Sequence, residues 1–305
     1  MNAQLAIIKW YVTLMLLGIF SSSICAKNNS DCLAPSKQCL EFVNAGLKDS
    51  TPYTFKWFNL KINQIESLIS IKEFNLAKQE INEIDLAKAP ATFVSYITMY
   101  KAKVLIVEGQ KEQALQLLFD AKLNLIELND VFYSPLRSIY IANLLQDLGK
   151  MEESLDILLS IKKRFAKSNN MHLKLELYGN LGHAYRRMQN YQLSLEHYLE
   201  ALSFAKALNN NQQVMVIYTH IANSYVYMQN FNNAEPMLKK ALEYAKLDDH
   251  EISITTAKIN LAHFLLKQNK LKEAKSLALT INPDNINTYQ LKTWDIIKAR
   301  ILTLP

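Results

Sequence analysis

The sequence predicts an all-α fold, a right-handed superhelical solenoid of antiparallel helix pairs, on three observations. Small residues recur every forty positions: Ala102, Ala142, Gly182, Ala222 and Ala262 form one series, and Ala114, Ser154, Ser194, Ala234 and Ala274 a second. Large residues keep the same beat, in Leu105, Leu145, Tyr185, Tyr225 and Leu265 and again in Met151, Tyr191, Phe231 and Leu271. A period of this length marks a unit that buries its apolar face only by stacking on its neighbours. Finally, the 305 residues are 50% hydrophobic yet hold only six glycines and seven prolines, too apolar for disorder and too poor in turn residues for an all-β sandwich.

The chain opens on a targeting segment. Lys9 is the only charged residue in 1–26, and it precedes the apolar run from Trp10 to Phe20 and the small residues leading to Ala26. A basic start, a short apolar core and a small-residue exit predict a secretory signal peptide over 1–26, cleaved after Ala26. An uncleaved signal anchor is one alternative, because weak apolar character persists to Ala26. A lipoprotein is the other, although Ile24 precedes Cys25 where a lipid-attachment motif wants a small residue. Export places the mature chain in a periplasmic or secreted location. No later run is long enough without charge to span a bilayer, so no stable membrane insertion is expected after cleavage.

Residues 27–53 form an N-terminal segment carrying Cys32 and Cys39. In an oxidising compartment two cysteines so close in sequence favour a disulfide, with a pair of reduced small hydrophobes as the alternative. Metal binding by them is disfavoured, since no second Cys or His pair lies nearby to complete four ligands. Loss of Lys9 with the signal takes the net charge from +6 to 6 − 1 = +5, a modest excess without runs that gives no reason to expect a nucleic-acid partner.

About six repeats fill residues 54–282. Within a unit the small residue precedes the large one by three positions, the second small residue follows nine later, and apolar residues recur at three- and four-residue steps, which reads as two helices joined by a tight turn. Glu108-Gly109-Gln110, Leu148-Gly149-Lys150, Gln189-Asn190, Gln229-Asn230 and Gln268-Asn269 supply the breaks, Gly and Asn being suited to a left-handed helix end. A degenerate first unit, Leu68, Phe74, Ala77, Ile81 and Ile84, stands thirty-seven residues ahead of the Leu105 unit. Pro52, Pro90, Pro135 and Pro283 fall between units, whereas Pro236 lies early in a second helix and should delay its start or kink its first turn. Residues 283–305 should provide a capping helix within 287–301, with Leu291, Trp294, Ile297 and Ile301 on its apolar face. The stack should be elongated.

The stretch Tyr178-Gly179-Asn180-Leu181-Gly182-His183-Ala184-Tyr185, followed by Tyr191, Ser194, Tyr198 and Ala201-Leu202, resembles the tetratricopeptide repeat signature, and Tyr218, Ile221, Ala222, Tyr225, Phe231, Ala234, Leu238 and Ala241-Leu242 repeat it. The departure is the period, forty residues against the family's usual length of about thirty-four, as in long-helix members of the family. The units are also similar to exported repeat segments of bacterial sensory proteins. The resemblance implies a concave face built by the first helix of each pair, which binds a protein or peptide segment.

That face selects Lys103, Asn143, His183, Asn223 and His263 in one row, Tyr100, Tyr140, Asn180, His220 and Asn260 in a neighbouring row, and Arg186 with Arg187 one turn on. Asparagines can bond peptide backbone and arginines a carboxylate, so a partner with some acidic character is expected. The family's clamp for a C-terminal carboxylate is matched only in part, by Asn143 and Asn180, with Ile139 and Val216 where lysines belong. No phosphate-binding Gly-rich loop, nucleophile elbow, HExxH or CxxC is present, and the six histidines are too dispersed to form a metal centre. The reading is therefore not an enzyme, with no cofactor and no metal: an exported interaction adaptor or scaffold, or alternatively a sensory input module working with a separate membrane signalling protein.

Overall fold

The computed structural model describes residues 37–131, 133–287 and 290–302. The expected signal peptide, Cys25 and Cys32 lie outside the described residues. Within them the chain is all-α, and no strand occurs. A leading helix, α1 (Lys37–Lys48), is followed by six helix pairs: α2 (Phe55–Ser70) with α3 (Phe74–Asn82), α4 (Ala91–Val107) with α5 (Lys111–Val131), α6 (Pro135–Asp147) with α7 (Met151–Arg164), α8 (Met171–Arg187) with α9 (Tyr191–Ala207), α10 (Asn211–Tyr227) with α11 (Phe231–Asp248), and α12 (Glu251–Lys267) with α13 (Leu271–Ala278). A final helix, α14 (Leu291–Leu302), lies against the last pair. No helix of the described residues is long and apolar enough to cross a membrane.

The turn inside each pair is the same backbone device. Lys72, Gly109, Gly149, Gln189, Gln229 and Asn269 all adopt the left-handed conformation, with φ between 58° and 81°. The next amide then bonds back to the large residue of the forty-residue series: Gln110 N to Leu105 O at 2.9 Å, Asn190 N to Tyr185 O at 2.9 Å, Asn230 N to Tyr225 O at 2.8 Å and Lys270 N to Leu265 O at 2.9 Å. This six-to-one bond satisfies a carbonyl that the helix end would leave open. In two of the turns glutamine, not asparagine, holds the left-handed position. Asn190 and Asn230 instead cap the following helix, their side chains accepting from Leu193 N and Asn233 N, and Asn170 and Asn210 do the same for α8 and α10. Asparagine accepts this bond with its side-chain oxygen while its backbone stays outside the helical region, so it suits the start of a helix as well as the end of one.

The nine non-glycine members of the two small-residue series are completely buried. Short side chains there let helices approach closely while larger neighbours fill the gaps. Gly182 is the limiting case and packs against the ring of Tyr198, itself 1% exposed. Pro236 lies inside α11, which nevertheless begins on the shared register at Phe231. The expected delay is absent, because Asn230 caps the first turn independently of the amide that proline lacks. In α14 Trp294 and Ile297 are buried, but Leu291 is 46% exposed. The helix begins only at Leu291, and the inward place before it belongs to Gln290, whose amide accepts from Thr256 Oγ1 at 3.1 Å.

The stack is not elongated along its whole length. Adjacent first helices touch, α2 on α4, α6 on α8 and α10 on α12, whereas the second helices make no comparable contact with one another among the described residues. Close packing on one side and spreading on the other bends the array toward the first helices. The bend brings the first pair back against the fifth and sixth. Ser70 Oγ donates to Gln212 Oε1 at 3.0 Å, and Gln212 Nε2 donates to Ser70 O at 2.6 Å. His250 Nε2 stands 3.4 Å from Glu73 Oε1, and Lys37 Nζ donates to Asp249 O at 2.9 Å. The inner face is thus enclosed by a ring.

Candidate functional site

The two rows expected on the inner face do lie on first helices, but several of their members are engaged with one another. Asn143 Nδ2 donates to Asn180 Oδ1 at 2.8 Å, joining α6 to α8, and Asn180 Nδ2 donates to Glu176 O at 2.8 Å. Gln146, completely buried, donates through Nε2 to Ser154 Oγ at 3.0 Å and to Asn180 O at 3.3 Å. Its Oε1 therefore accepts from His183 Nδ1, 2.5 Å away, which leaves His183 Nε2 as an acceptor. Burial, with Arg186, Arg187 and Lys103 nearby, pushes His183 down to about 4, so the ring is neutral near pH 7.

Tyr100 is 2% exposed and belongs to the core between α4 and its neighbours, not to an accessible surface. A forty-residue row follows one helical phase, and at this pair the aromatic ring turns into the apolar interface. Tyr140 OH donates to Glu66 Oε1 at 2.7 Å and its ring meets Tyr96 edge-on at 5.8 Å. His220 stacks on Tyr198 with ring centres 5.0 Å apart. Burial, with His183, Arg186 and Lys72 nearby, pushes it down to about 3. Asn223 is exposed on α10, while Asn260 and the half-buried His263 lie further along on α12.

The adjacent arginines differ. Arg187 is exposed, with Nη1 3.9 Å from Asp147 Oδ1 across the α6–α8 boundary. Arg186 Nε is buried and has no hydrogen-bond partner among the described residues. The buried hydroxyl of Tyr198, beside it, is held up to about 12, burial outweighing the influence of Arg186.

Sequence reasoning missed Glu66, Lys72, Asp147, His172 and Glu176, which complete the lining. Burial raises Glu66 above the usual carboxylate range, Glu176 raises it further, and Tyr140, His172 and Lys103 act against both. Glu176 is likewise raised by burial and moderated by Lys103. Lys72 is lowered by burial and by Lys103. Lys103 thus acts on Glu66, Glu176 and Lys72, while Arg186, His183 and Lys72 act on His220. Glu66 was within reach of the sequence, since it precedes Lys103 by the thirty-seven residues that separate the first unit from the second. Among the described residues no cluster of His, Cys, Asp and Glu could hold a metal ion.

Near the N-terminus Cys39 is 2% exposed and disulfide-bonded.

A tetratricopeptide repeat family model matches residues 136–207 and 173–247. No curated protein matches the sequence significantly. Among solved structures, a Rap protein complexed with Competence and Sporulation Factor is 14% identical with a TM-score of 0.56, over 86% of this chain and 73% of that one. A signal transduction ATPase of the STAND class with a tetratricopeptide repeat sensor, from Pyrococcus horikoshii, is 18% identical with a TM-score of 0.53 over 86% of this chain, which spans only 41% of that protein. PlcR of Bacillus thuringiensis, in complex with the peptide PapR7 and DNA, is 16% identical with a TM-score of 0.51, over 70% of this chain and 81% of that one. At these identities the structures share the fold. Residues 136–247 therefore carry tetratricopeptide repeats, and the helix pairs on either side of them have the same architecture.

Proposed function

We propose that the chain is an exported interaction adaptor that takes a partner segment, extended or helical and with some acidic character, onto its inner face. The observation that carries this reading is Arg186, whose Nε is buried without a partner among the described residues, while Asn223, on the next first helix, is exposed. A partner carboxylate would satisfy the guanidinium, and a desolvated contact of this kind is worth about 1.5–3 kcal/mol. PlcR in complex with the peptide PapR7, a protein of the same fold, supports a segment as the partner. The role assigned is binding, without catalysis or a cofactor.

Site-specific photocrosslinking tests it. A crosslinker at Asn223 should capture a protein from the envelope fraction, and Arg186→Glu should reduce capture at least about tenfold. A crosslinker at Glu196, on the exposed side of α9, should not capture it. Capture from Glu196 alone would move the binding surface to the outer, second-helix face. Export is tested by intact mass: the mature chain should begin at Lys27 and carry a Cys32–Cys39 disulfide with no free thiol.

A second reading, a sensory input module acting through a separate membrane signalling protein, is favoured by the STAND ATPase whose repeats serve as its sensor. Identification of the captured protein separates the two: a membrane signalling protein supports the sensor, and an envelope-assembly or secretion component supports the adaptor.

A further inference from the structure

A row of exposed apolar side chains runs along the second helices, on the side away from the inner face. Phe119, Leu159, Leu199 and Leu279 share one forty-residue phase, with Lys239 in the remaining place, and the four apolar members are between 38% and 76% exposed. The core does not call for them, since the residue before each place, Leu118, Leu158, Tyr198, Leu238 or Ala278, is the buried one. Beside the middle of the row stand three lysines whose ammonium groups lie over aromatic rings. Lys162 Nζ is 5.6 Å from the ring centre of Tyr178, Lys206 Nζ is 5.3 Å from that of Tyr218, and Lys240 Nζ is 5.7 Å from the same Tyr218 ring. The rings are paired in repeat, Tyr178 with Phe204 at 5.8 Å and Tyr218 with Tyr244 at 5.6 Å. These contacts link α7, α8, α9, α10 and α11 in one continuous strip over the third to fifth pairs. None of the three lysines forms an ion pair among the described residues, although Glu200 and Glu243 are exposed on the same helices. Leu159 precedes Lys162 by one turn and Leu199 precedes Lys206 by two, so the apolar row and the basic strip share a face. Asp156 and Glu196 stand one turn to the other side of the row.

We propose that the second-helix side of the third to fifth pairs is a docking surface for an anionic lipid bilayer, with Leu159 and Leu199 entering the headgroup layer and Lys162, Lys206 and Lys240 meeting lipid phosphates. The surface is convex, because the stack bends toward the first helices, so it offers no groove to a peptide segment. A flat layer meets its middle, while Phe119 and Leu279 curve away. The Tyr178 and Tyr218 rings are taken up by lysines and by their aromatic partners, which leaves them no open face on which the bases of a nucleic acid could stack. Unpaired positive charge and exposed apolar side chains occur together, the combination that holds a protein at a membrane surface: anionic headgroups attract the lysines, and burial of the leucines in the interface retains them. Attachment is to the surface, since no described helix is long and apolar enough to cross a bilayer. It leaves the inner face open and does not rest on the adaptor reading.

Residues 27–305 contain every described helix and omit the apolar N-terminal run, which would itself favour lipid. This chain is sedimented with vesicles of phosphatidylcholine alone and of phosphatidylcholine mixed with phosphatidylglycerol. Binding to the anionic vesicles should be at least about tenfold stronger and should fall with added salt. The triple variant Lys162→Gln, Lys206→Gln, Lys240→Gln should lose at least about tenfold of that binding, and Leu159→Ser with Leu199→Ser a similar amount, with far-ultraviolet circular dichroism unchanged. A control triple, Lys56→Gln, Lys101→Gln, Lys292→Gln, removes the same charge from exposed lysines of α2, α4 and α14 and should bind as the parent does. Equal loss in the two lysine triples would overturn the site, leaving attraction by net charge alone. A nitroxide at Leu199→Cys should lose access to an aqueous nickel complex when anionic vesicles are added, whereas one at Asn223→Cys should keep it. This pair of labels decides the matter even if the leucine variant folds poorly, and the reverse pattern would overturn the proposed face. Retention of the protein in the supernatant with both vesicle types, or preference for soluble polyphosphate over vesicles, would overturn the lipid surface, while partner capture at Asn223 judges the adaptor separately.

Discussion

A β-carbon on Gly182 would lie 2.7 Å from Cδ1 and Cε1 of the Tyr198 ring, closer than side-chain carbons come. Glycine inside a helix costs about 1 kcal/mol relative to alanine, and close approach between α8 and α9 is what it permits here. Gly182→Ala should therefore destabilise the protein by about 1–3 kcal/mol despite its better helix propensity. A second change, Tyr198→Val, should recover part of that loss, and a double-mutant cycle by urea denaturation would measure the coupling. Independent effects of the two substitutions would show that the helices separate freely at this point.

The left-handed turn residues give an opposite expectation. Gln189 and Gln229 occupy the conformation that Gly109 and Gly149 hold without a side-chain penalty. Both glutamines are exposed, so Gln189→Gly and Gln229→Gly should each stabilise by up to about 1 kcal/mol, and Gly149→Ala should cost a similar amount. Melting temperatures of the three variants check this.

Acid should weaken the fold through its histidines. The folded state holds His183 at about 4 and His220 at about 3, against an ordinary 6.5. Below pH 6.5 the unfolded chain takes up protons that the folded chain refuses, so the stability these rings contribute above 6.5 is lost as pH falls toward their folded values. Glu66 and Glu176 act with the opposite sign, because the cost of burying their charge is relieved as pH falls through their raised values. The His220→Gln difference isolates the ring: between pH 6.5 and 4.5 its stability curve should be shallower than the parent's by up to about 1.4 kcal/mol per pH unit. Parallel curves would show that His220 is accessible to solvent protons.

Removing residues 286–305 should uncover the apolar face of the last pair that Trp294 and Ile297 now cover. Lower thermal stability and aggregation at concentrations where the parent is monodisperse are expected, since a terminal repeat needs a polar outer face. Light scattering during a thermal ramp gives the answer.

Ser70→Ala combined with Gln212→Ala should open the ring without melting helices. Three hydrogen bonds join Ser70 to Gln212 and Gln213, and the double variant removes all three, since each uses the Ser70 hydroxyl or the Gln212 side chain. An increased radius of gyration by small-angle scattering, with unchanged helical content, is the expected result.

Repetition made most of this fold legible. The forty-residue series located both helices of each pair, because close packing at Ala142, Gly182 and Ala222 forces small residues into register. The asparagines were harder to assign, since one residue type serves both the left-handed end and the N-terminal cap, and only backbone angles distinguish Asn269 from Asn190. In the candidate site, Lys103, His183, Arg186 and His220 were selected by phase. Their relation to Lys72, and the company kept by Glu66 and Glu176, depend on curvature accumulated over several pairs, which no local pattern encodes. Tyr100 failed for a related reason: phase alone does not say how far a neighbouring helix overlaps it.

The clasp between Ser70 and Gln212 joins residues separated by 142 positions in a molecule whose other contacts are mostly between adjacent pairs. Bringing such distant points together in a flexible chain would cost several kcal/mol in entropy, about (3/2)RT ln n for n residues. The folded arc between them removes most of that cost in advance, so closure should be a late and rapid folding event that waits on the assembly of the middle repeats. The same arc acts as a lever. A slight rotation at any of the intervening junctions is carried forward and summed at its tips, so a substitution as remote as Gly182 should be felt at the clasp before it is felt in helix content.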